Sequence, residues 1–535
     1  MRHLASLTAL GAALASGAAA QGFPQPAGFT WEDPVLRRIW SAAMDSSALP
    51  DLTQVLLDSL GPRLTASPGM EAAQDWLVRL YGGWGITARK EPYGTWRGWR
   101  RGVTHVDLVA PRVRTLEATM LAWSPGTPRG RPVRAGVTVL PDVADSSAFV
   151  AWLPSARGTF VLISGPEATC RPDDSWDKWA TRATADSVKA RRGAAQQAWT
   201  ERTRRTGYTG NALQRRLEAA GVAGIVTSRW TGGWGSMTVF GAATDRAPVL
   251  AVACEDYGLL FRLATRGQGP VLEVAASAVA LGEVPVFNVI GEIRGREQPD
   301  EYVVLSAHFD SWDGGSGATD NGTGSLVMLE AMRLLRLAYP TPRRTILVGH
   351  WSGEEQGLNG SAAFVADHPD VRDGLQALFN QDNGTGRIQS TSASGFTDAS
   401  GSFARWLARI PSDLTRDIKF SFPGSPGFGG TDHFSFVCAG APGFSLFSED
   451  WDYGRYTWHT TRDTYDKVSF DDLRANATLT AMLAYLAAED TVPTPRQRRT
   501  ALSPRRDGQP GAWPQCGTPE RKTPPLAPPV TAGGR

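Results

Sequence analysis

The sequence predicts an α/β protein in which a mixed, mostly parallel sheet is sandwiched by helices. Three short apolar runs, at residues 302–307, 344–350 and 376–381, have the length and composition of buried strands. Between about residues 284 and 490, such runs alternate with helical patterns. This alternation is typical of parallel strands that are connected through helices on both faces of one sheet.

The remaining elements divide the chain into five segments. Residues 31–81 look helical, apart from a turn at 61–69 that is rich in Gly and Pro, and strand-like runs then follow. From about residue 115 the pattern changes to short strand-like runs that are separated by a long polar stretch. This stretch, at 171–216, is expected to be a solvated helical insertion. The predicted segments are an N-terminal leader (1–20), the first part of the main domain (21–114), an inserted module (115–280), the rest of the main domain (281–490) and a Pro- and Arg-rich disordered tail (491–535).

The N-terminus predicts export. Arg2 and His3 precede an apolar stretch, and the small residues that follow end at Ala20, which is the layout of a secretory signal peptide cleaved near that residue. The stretch is shorter than the ~20 apolar residues of a membrane span, and no later segment qualifies. We therefore expect a secreted or periplasmic protein. The net charge of +2 gives no support for nucleic-acid binding.

The four cysteines do not predict a metal site of their own. None of them shows the C-x-x-C spacing of a cysteine-based zinc site, so the sequence argues against such a site. The four are Cys170, Cys254, Cys438 and Cys516. Cys170 and Cys254 lie in the same region and are candidates for pairing, but the sequence leaves the connectivity open.

Metal-ligating side chains follow the predicted strands. Strands in open α/β sheets present functional groups at their carboxyl ends, so groups that follow three strands should meet in one site. Carboxylates gathered in one cleft would repel one another, and bound cations remove that cost. The set matches the mixture of imidazole and carboxylate that catalytic zinc uses, and it suffices for two zinc ions bridged by one carboxylate. Its members are His308, Asp310, Asp320, Glu354, Glu355, Asp382 and His459.

Two neighbouring pairs of residues suggest further roles. Asp310 lies two residues after His308, so its carboxylate is expected to accept the second ring N–H of a ligating His308. Of Glu354 and Glu355, one should bind metal while the other reaches the attacking water as general base.

The motifs together resemble co-catalytic zinc metallopeptidase family 28, which contains aminopeptidases and a carboxypeptidase Q-like (plasma glutamate carboxypeptidase) branch. The turn at 61–69 and Trp312 favour that branch, whereas His433 after Asp432 is closer to the aminopeptidase pattern. The matching segments are 308–312, 317–322, 353–357, Asp382, 430–432 and 459–464.

The resemblance implies a role for each residue. His308, Asp320 and Asp382 would hold one zinc ion, and Asp320, Glu355 and His459 the other. Glu354 would be the general base, with Asp310 behind His308. The inserted module would be a β-rich protease-associated domain, and a cis peptide would follow Asp320. Asp432, His433, Gly429 and Gly430 are candidates for substrate contact, although a helix start packed beneath the site explains Asp432 and His433 equally well.

The predicted activity is hydrolysis of dipeptides or short peptides near a terminus, with two zinc ions per chain. Amino-, carboxy- and dipeptidase specificity stay open, as does the oligomeric state, for which a homodimer is one option. Two alternatives come from other classes: a glutaminyl-cyclase-like transferase with a single zinc ion, and a non-catalytic receptor-like homologue. The second should lack ligands, and here none is missing.

Overall fold

A computed structural model describes residues 32–427, 429–502 and 511–524. The predicted signal peptide lies outside these residues. Within them, the helices are α1 (Pro34–Asp45), α2 (Leu49–Gln54), α3 (Pro68–Gly83), α4 (Ser146–Ala156), α5 (Asp173–Trp179), α6 (Arg182–Arg205), α7 (Gly210–Ala219), α8 (Cys254–Thr265), α9 (Thr323–Ala338), α10 (Asn359–Asp367), α11 (Pro369–Asp373), α12 (Ala399–Leu407), α13 (Ser412–Thr415), α14 (His433–Cys438) and α15 (Phe470–Glu489).

Fourteen strands connect through one continuous set of pairings. They are β1 (Thr87–Ala110), β2 (Arg114–Thr115), β3 (Ala118–Met120), β4 (Val133–Val139), β5 (Phe160–Leu162), β6 (Gly224–Thr227), β7 (Val249–Val252), β8 (Val271–Ile293), β9 (Gln298–His308), β10 (Arg344–Trp351), β11 (Leu375–Gln381), β12 (Ile388–Ser392), β13 (Lys419–Ser421) and β14 (Gly443–Ser448).

The main domain is built on the order β13-β12-β14-β11-β9-β10-β8. Its four central strands, β10, β9, β11 and β14, are parallel, whereas β8 and β12 join their neighbours in antiparallel fashion. The three apolar runs predicted to be strands are β9, β10 and β11, so the predicted mixed, mostly parallel sheet is confirmed.

Alternate residues of the central strands face two helical layers. On β9, Val303 and Leu305 belong to a core shared with α1, α9 and α15, whereas Tyr302 and Val304 belong to a second core with Phe364 of α10. All eight residues of β10 are buried, as expected for a strand covered on both faces.

The inserted module continues from the main sheet through two long strands. β1 and β8 pair antiparallel from Thr87 with Glu292 to Ala110 with Val271, and β4 then pairs with the first residues of β8. β4, β5, β6 and β7 run parallel, and β3 closes the edge in the antiparallel direction. The predicted boundary at residue 280 therefore falls inside β8.

The module is not β-rich as predicted, because its helices span more residues than its strands. α6 alone spans 24 residues, whereas β5, β6 and β7 span three or four residues each. The polar stretch at 171–216 is helical as expected, and it forms α5, α6 and most of α7. The short strands are fully buried between helices, so a few apolar residues suffice for each.

The described part of the C-terminal segment differs from the predicted disordered tail. Residues 491–502 and 511–524 lack regular structure but lie against the main domain. Cys516 forms a disulfide with Cys438 at the end of α14, and Trp513 packs edge-on against Phe396. The Pro and Arg content did not predict these contacts, because a disulfide and one half-buried aromatic side chain can order a segment that has no apolar periodicity.

The second disulfide joins Cys170 to Cys254, which the sequence analysis identifies as candidates for pairing. Of the helices in the described ranges, none combines the length and apolar content that a bilayer crossing requires.

Candidate metal centre and active site

Four adjacent parallel strands bring the predicted side chains to one edge of the sheet. His308 is the last residue of β9, Glu354 and Glu355 follow β10, and Asp382 follows β11. His459 lies in the loop after β14. Because all four strands end at the same edge, the ligand candidates meet there although they are distant in sequence.

Asp320 lies between two clusters of side chains. On one side, His308 Nε2 is 3.4 Å from Asp320 Oδ1 and 2.9 Å from Asp382 Oδ1. On the other side, His459 Nε2 is 3.0 Å from Asp320 Oδ2 and 2.9 Å from Glu355 Oε2. Each oxygen of Asp320 thus faces a different histidine, which is the arrangement that a carboxylate bridging two cations requires.

The donor set fits zinc. Donor atoms of His308, Asp320 and Glu355 all lie within 4.8 Å of one another. Ligand atoms of a tetrahedral zinc ion are separated by about 3.3 Å, given bonds of about 2.0–2.1 Å, so the distances above need little adjustment. Glu355 Oε1 is also buried without a hydrogen-bond partner among the described residues, which is costly unless a cation or donor approaches it.

The electrostatics of the cluster point the same way. Burial, with a further contribution from Asp320, raises the pKa of Glu355 to about 7. Burial and the neighbouring carboxylates of Asp382 and Glu355 raise the pKa of Glu354 well above its usual range. Burial lowers the pKa of His459, but hydrogen bonding to Asp320 and Glu355 outweighs it and raises that pKa to about 9. Cations among these carboxylates would relieve the repulsion that raises the glutamate pKa values.

The two neighbouring glutamates diverge. Glu355 contacts His459, whereas Glu354 forms no ion pair within the described part of the chain. The charge of Glu354 nevertheless acts on the pKa of His308, so its carboxylate lies near the first cluster. Glu354 is therefore free to exchange a proton next to the proposed metal ligands.

Asp310 lies behind His308, but through a different atom from the one expected. His308 Nδ1 is 3.0 Å from the backbone carbonyl oxygen of Asp310, whereas its carboxylate Oδ1 is 3.7 Å away. The Asp310 carboxylate instead accepts a hydrogen bond from Thr65 and two 3.3 Å bonds from the backbone N–H groups of Glu354 and Glu355. The Asp310 carboxylate thus lies beyond hydrogen-bonding distance of the imidazole, and it holds the glutamate turn against the end of β9. Its role as the partner of His308 stays a prediction.

Asp463 is a site residue that our reading of the sequence missed. Its buried carboxylate accepts hydrogen bonds from Thr319 N–H (2.8 Å), Thr319 Oγ1 (2.8 Å) and Asp320 N–H (3.1 Å). It thereby fixes the backbone that carries Asp320. The peptide bond between Asp320 and Asn321 is cis, as expected.

Arg63 was also missed, because nothing in its local sequence distinguishes it from a surface arginine. Its guanidinium is fully buried and donates to the carbonyl oxygens of Phe309 (2.7 Å), Ser316 (2.8 Å), Gly317 (2.8 Å) and Gly61 (3.1 Å). Arg63 therefore ties the turn at 61–69, which the sequence had singled out, to the two loops that carry His308 and Asp320.

Of the four candidates for substrate contact, Asp432 and His433 lie near the centre, because the charge of Asp382 acts on both. Asp432 precedes α14 and is fully buried, and burial raises its pKa to about 8. His433 is the first residue of α14, and burial lowers its pKa to about 4. This placement agrees with a helix start packed beneath the site. Gly429 and Gly430 border a cavity of about 1200 Å³, and their substrate contact stays a prediction.

Two other histidines lie outside the cluster. His350 is buried within β10 and is 2.7 Å from the hydroxyl of Tyr81, and burial lowers its pKa to about 3. His368 pairs with Glu91 at 2.7 Å. Both contacts are structural, as the sequence context predicted.

Comparisons with known proteins agree with this geometry. Residues 288–484 match the model of Peptidase family M28. The chain is 25% identical to carboxypeptidase Q of Mus musculus over 451 residues, which covers 83% of this chain and 86% of that protein.

Two solved structures share the fold. A Peptidase M28 precursor from Shewanella amazonensis SB2B matches with a TM-score of 0.63 and 23% identity, over 87% of this chain and 98% of that one. BSAP, a zinc aminopeptidase from Bacillus subtilis, matches with a TM-score of 0.53 and 16% identity, over 84% and 96%. The family match of residues 288–484, the similarity to carboxypeptidase Q and the converging histidines and carboxylates together identify the chain as a metallo-exopeptidase.

Proposed function

We propose that this protein is an exported exopeptidase that holds two zinc ions and cleaves dipeptides or short peptides near a terminus. The observation that carries the proposal is Asp320, whose two oxygens face two separate clusters. His308 and Asp382 would complete one zinc site, and Glu355 and His459 the other. BSAP is a zinc aminopeptidase with the same fold, which supports zinc as the metal.

Zinc in such a pair acts as a Lewis acid that polarises a carbonyl group and makes water more acidic. The chain's own residues supply the remaining steps. Glu354 is the general base: it accepts a proton from the attacking water and returns it to the amine nitrogen of the departing fragment. Asp310 keeps Glu354 in reach, because its carboxylate accepts the N–H of that residue. Arg63 and Asp463 hold the ligand-bearing loops in place before substrate arrives.

Export of the mature chain is part of the proposal. The N-terminal stretch ending near Ala20 supports it, as do the two disulfides, Cys170–Cys254 and Cys438–Cys516, which persist best in oxidising compartments. We further propose that the inserted module acts as a protease-associated-like domain beside the cleft. Contacts between its segment 229–240 and the loop of His459 support this. A homodimer stays a prediction.

Substitution of the base tests the mechanism. We expect Glu354→Gln to keep both zinc ions and to lower turnover of a free dipeptide by about 100-fold or more, because the amide cannot accept the proton. Metal content would be measured by elemental analysis and turnover by amino-acid release. Glu71→Gln, on the exposed face of α3, is the matched control and should behave like the unmodified protein. Undiminished turnover in Glu354→Gln would refute the assignment of the base.

The stoichiometry of the unmodified protein separates the proposal from its alternatives. Two zinc ions with hydrolysis of dipeptides support it. A single zinc ion with activity only on N-terminal glutamine would favour the cyclase-like transferase, and the absence of both bound zinc and turnover would favour a receptor-like homologue. A panel of free dipeptides, N-blocked dipeptides and amino-acid anilides then identifies which terminus is recognised.

A further inference from the structure

The two candidate histidine ligands are oriented in different ways. His308 has a hydrogen bond between Nδ1 and a backbone carbonyl group, so its ring is fixed from behind. Nδ1 of His459 is buried and has no hydrogen-bond partner among the described residues. Metal-ligating histidines usually donate their second ring N–H to a fixed acceptor, which sets the direction of the ring. Another kind of contact must therefore orient His459.

Aromatic packing surrounds the ring of His459. Phe240 meets it edge to face, with ring centroids 5.0 Å apart and an interplanar angle of 82°. Trp458 stacks on it at 4.0 Å, and Trp312 lies at 6.0 Å. Phe240 is itself held, because the guanidinium of Arg229 lies 4.2 Å above its ring. Phe240 and Arg229 belong to the inserted module, whereas the other three rings belong to the main domain.

The backbone of His459 depends on the same module. His459 has a φ of 58°, a left-handed conformation that a non-glycine residue keeps only when its surroundings enforce it. The N–H of Val239 donates to the carbonyl oxygen of His459 at 2.8 Å, and Thr238 forms an antiparallel bridge with Thr460. These contacts fix the carbonyl group of the strained residue and the residue that follows it.

Further contacts fasten the rest of the loop. Arg462 donates to the carbonyl oxygen of Gly235 at 3.3 Å and pairs with Glu117 at 2.6 Å. The hydroxyl of Thr231 donates to the carbonyl oxygen of Arg455. The stretch 455–462 around His459 is thus bound to the module at several points along its length.

We propose that segment 229–240 of the inserted module is a positioning element for the second metal site, with Phe240 setting the ring direction of His459 and Val239 setting its backbone. The inference rests on the proposed two-zinc function and adds to it a residue outside the metallopeptidase domain. It follows that zinc binding at the second site and docking of the module stabilise each other, since coupling between two binding events is reciprocal.

Zinc titration of the metal-free protein tests this without reference to activity. We expect Phe240→Leu to weaken one of the two zinc affinities by about 10–100-fold, the usual effect of removing a residue that orients a metal ligand, and to leave the other affinity unchanged. The affinities would be resolved by competition with a chromophoric chelator. Phe261→Leu is the matched control, because Phe261 is a half-buried phenylalanine of the same module that packs on Trp199 instead. It should leave both affinities unchanged.

The possible outcomes are distinct. Selective weakening of one site in Phe240→Leu supports the inference. Unchanged affinities in that variant overturn it, as does an equal loss at both sites that Phe261→Leu reproduces, because that pattern reflects general destabilisation of the module. If the unmodified protein binds fewer than two zinc ions, the proposed function fails, and this inference fails with it.

Discussion

Asp463 influences the position of the Asp320 carboxylate through the backbone that carries it. Three donors converge on its buried carboxylate, and one of them is the backbone N–H of Asp320. An acceptor on this side keeps the two oxygens of Asp320 directed towards His308 and His459. Such supporting contacts contribute strongly to metal affinity in other zinc sites.

Replacing this acceptor should weaken zinc binding. In Asp463→Asn, the amide group presents its own N–H donors to the donors of Thr319 and Asp320, so at least one hydrogen bond is lost. We expect zinc affinity to fall by about 10–100-fold in equilibrium titrations. Asp466→Asn is the control, because that side chain is 73% exposed and, within the described ranges, pairs with Thr464 and Lys467 rather than with the candidate site. Equal affinities in the two variants would contradict the role given to Asp463.

Residue by residue, the sequence predicts the ligand candidates better than their supports. His308, Glu355 and Asp382 could be identified because each follows an apolar run that ends at the same edge of the sheet. Arg63 could not, because its role depends on carbonyl groups about 250 residues away in the chain. The same holds for the Asp310 carboxylate, whose partners are set by the turn after β10 and not by its spacing from His308.

Among the elements, the C-terminal segment shows how one covalent bond changes the outcome. Residues 511–524 have the composition of a disordered tail, yet Cys516 is bound to Cys438 and Arg521 pairs with Asp367. Trp513 adds a hydrogen bond from its indole N–H to the carbonyl oxygen of Val437 at 3.2 Å. Composition and periodicity describe local preferences, so they do not register contacts of this kind.

Removing this disulfide should release the segment. We expect the double variant Cys438→Ser/Cys516→Ser to lose about 2–4 kcal/mol of stability, because the denatured chain regains the freedom that a crosslink between positions 78 residues apart removes. The measurements are the unfolding midpoint and limited proteolysis with mass analysis of the fragments. Cys170→Ser/Cys254→Ser is the control and should leave residues 511–524 protected. Equal cleavage of this segment in both variants would contradict the assignment.

For the whole molecule, the buried acidic centre links metal content to stability. Asp310, Asp320 and Asp382 are buried or nearly so at the meeting point of β9 and β11, and their mutual repulsion opposes folding. A ligand that binds only the folded chain stabilises it by mass action.

Chelation should therefore destabilise the protein reversibly. We expect free zinc at about a hundred times its dissociation constant to add about 2.7 kcal/mol per site to the stability of the metal-free protein. Thermal unfolding would show a higher midpoint with zinc than with chelator, and Asp320→Ala should remove most of the difference. A midpoint that does not respond to zinc in the unmodified protein would argue against metal sites in this cleft.

At the same scale, the sequence predicts the main sheet but not the balance of the module. Alternation of apolar runs with helical patterns is clear where strands have seven residues or more, as in β9, β10 and β11. The apolar runs at 158–163 and 248–252 do predict β5 and β7, but these strands have only three or four residues each and contribute little beside a helix of 24 residues.

The paired strands β1 and β8 have a mechanical consequence. The two halves of the molecule share this ribbon, and β8 also pairs with β10, after which Glu354 and Glu355 follow. Excision of residues 115–280 would leave residues 99–110 without the partner strand that now completes them. Hydrogen-bonded pairing continues along this ribbon except at four register shifts, so we expect movement of the module to be coupled to the strand that lies next to β10. The inserted module is therefore joined to the main domain by a continuous two-stranded ribbon and not by a flexible linker.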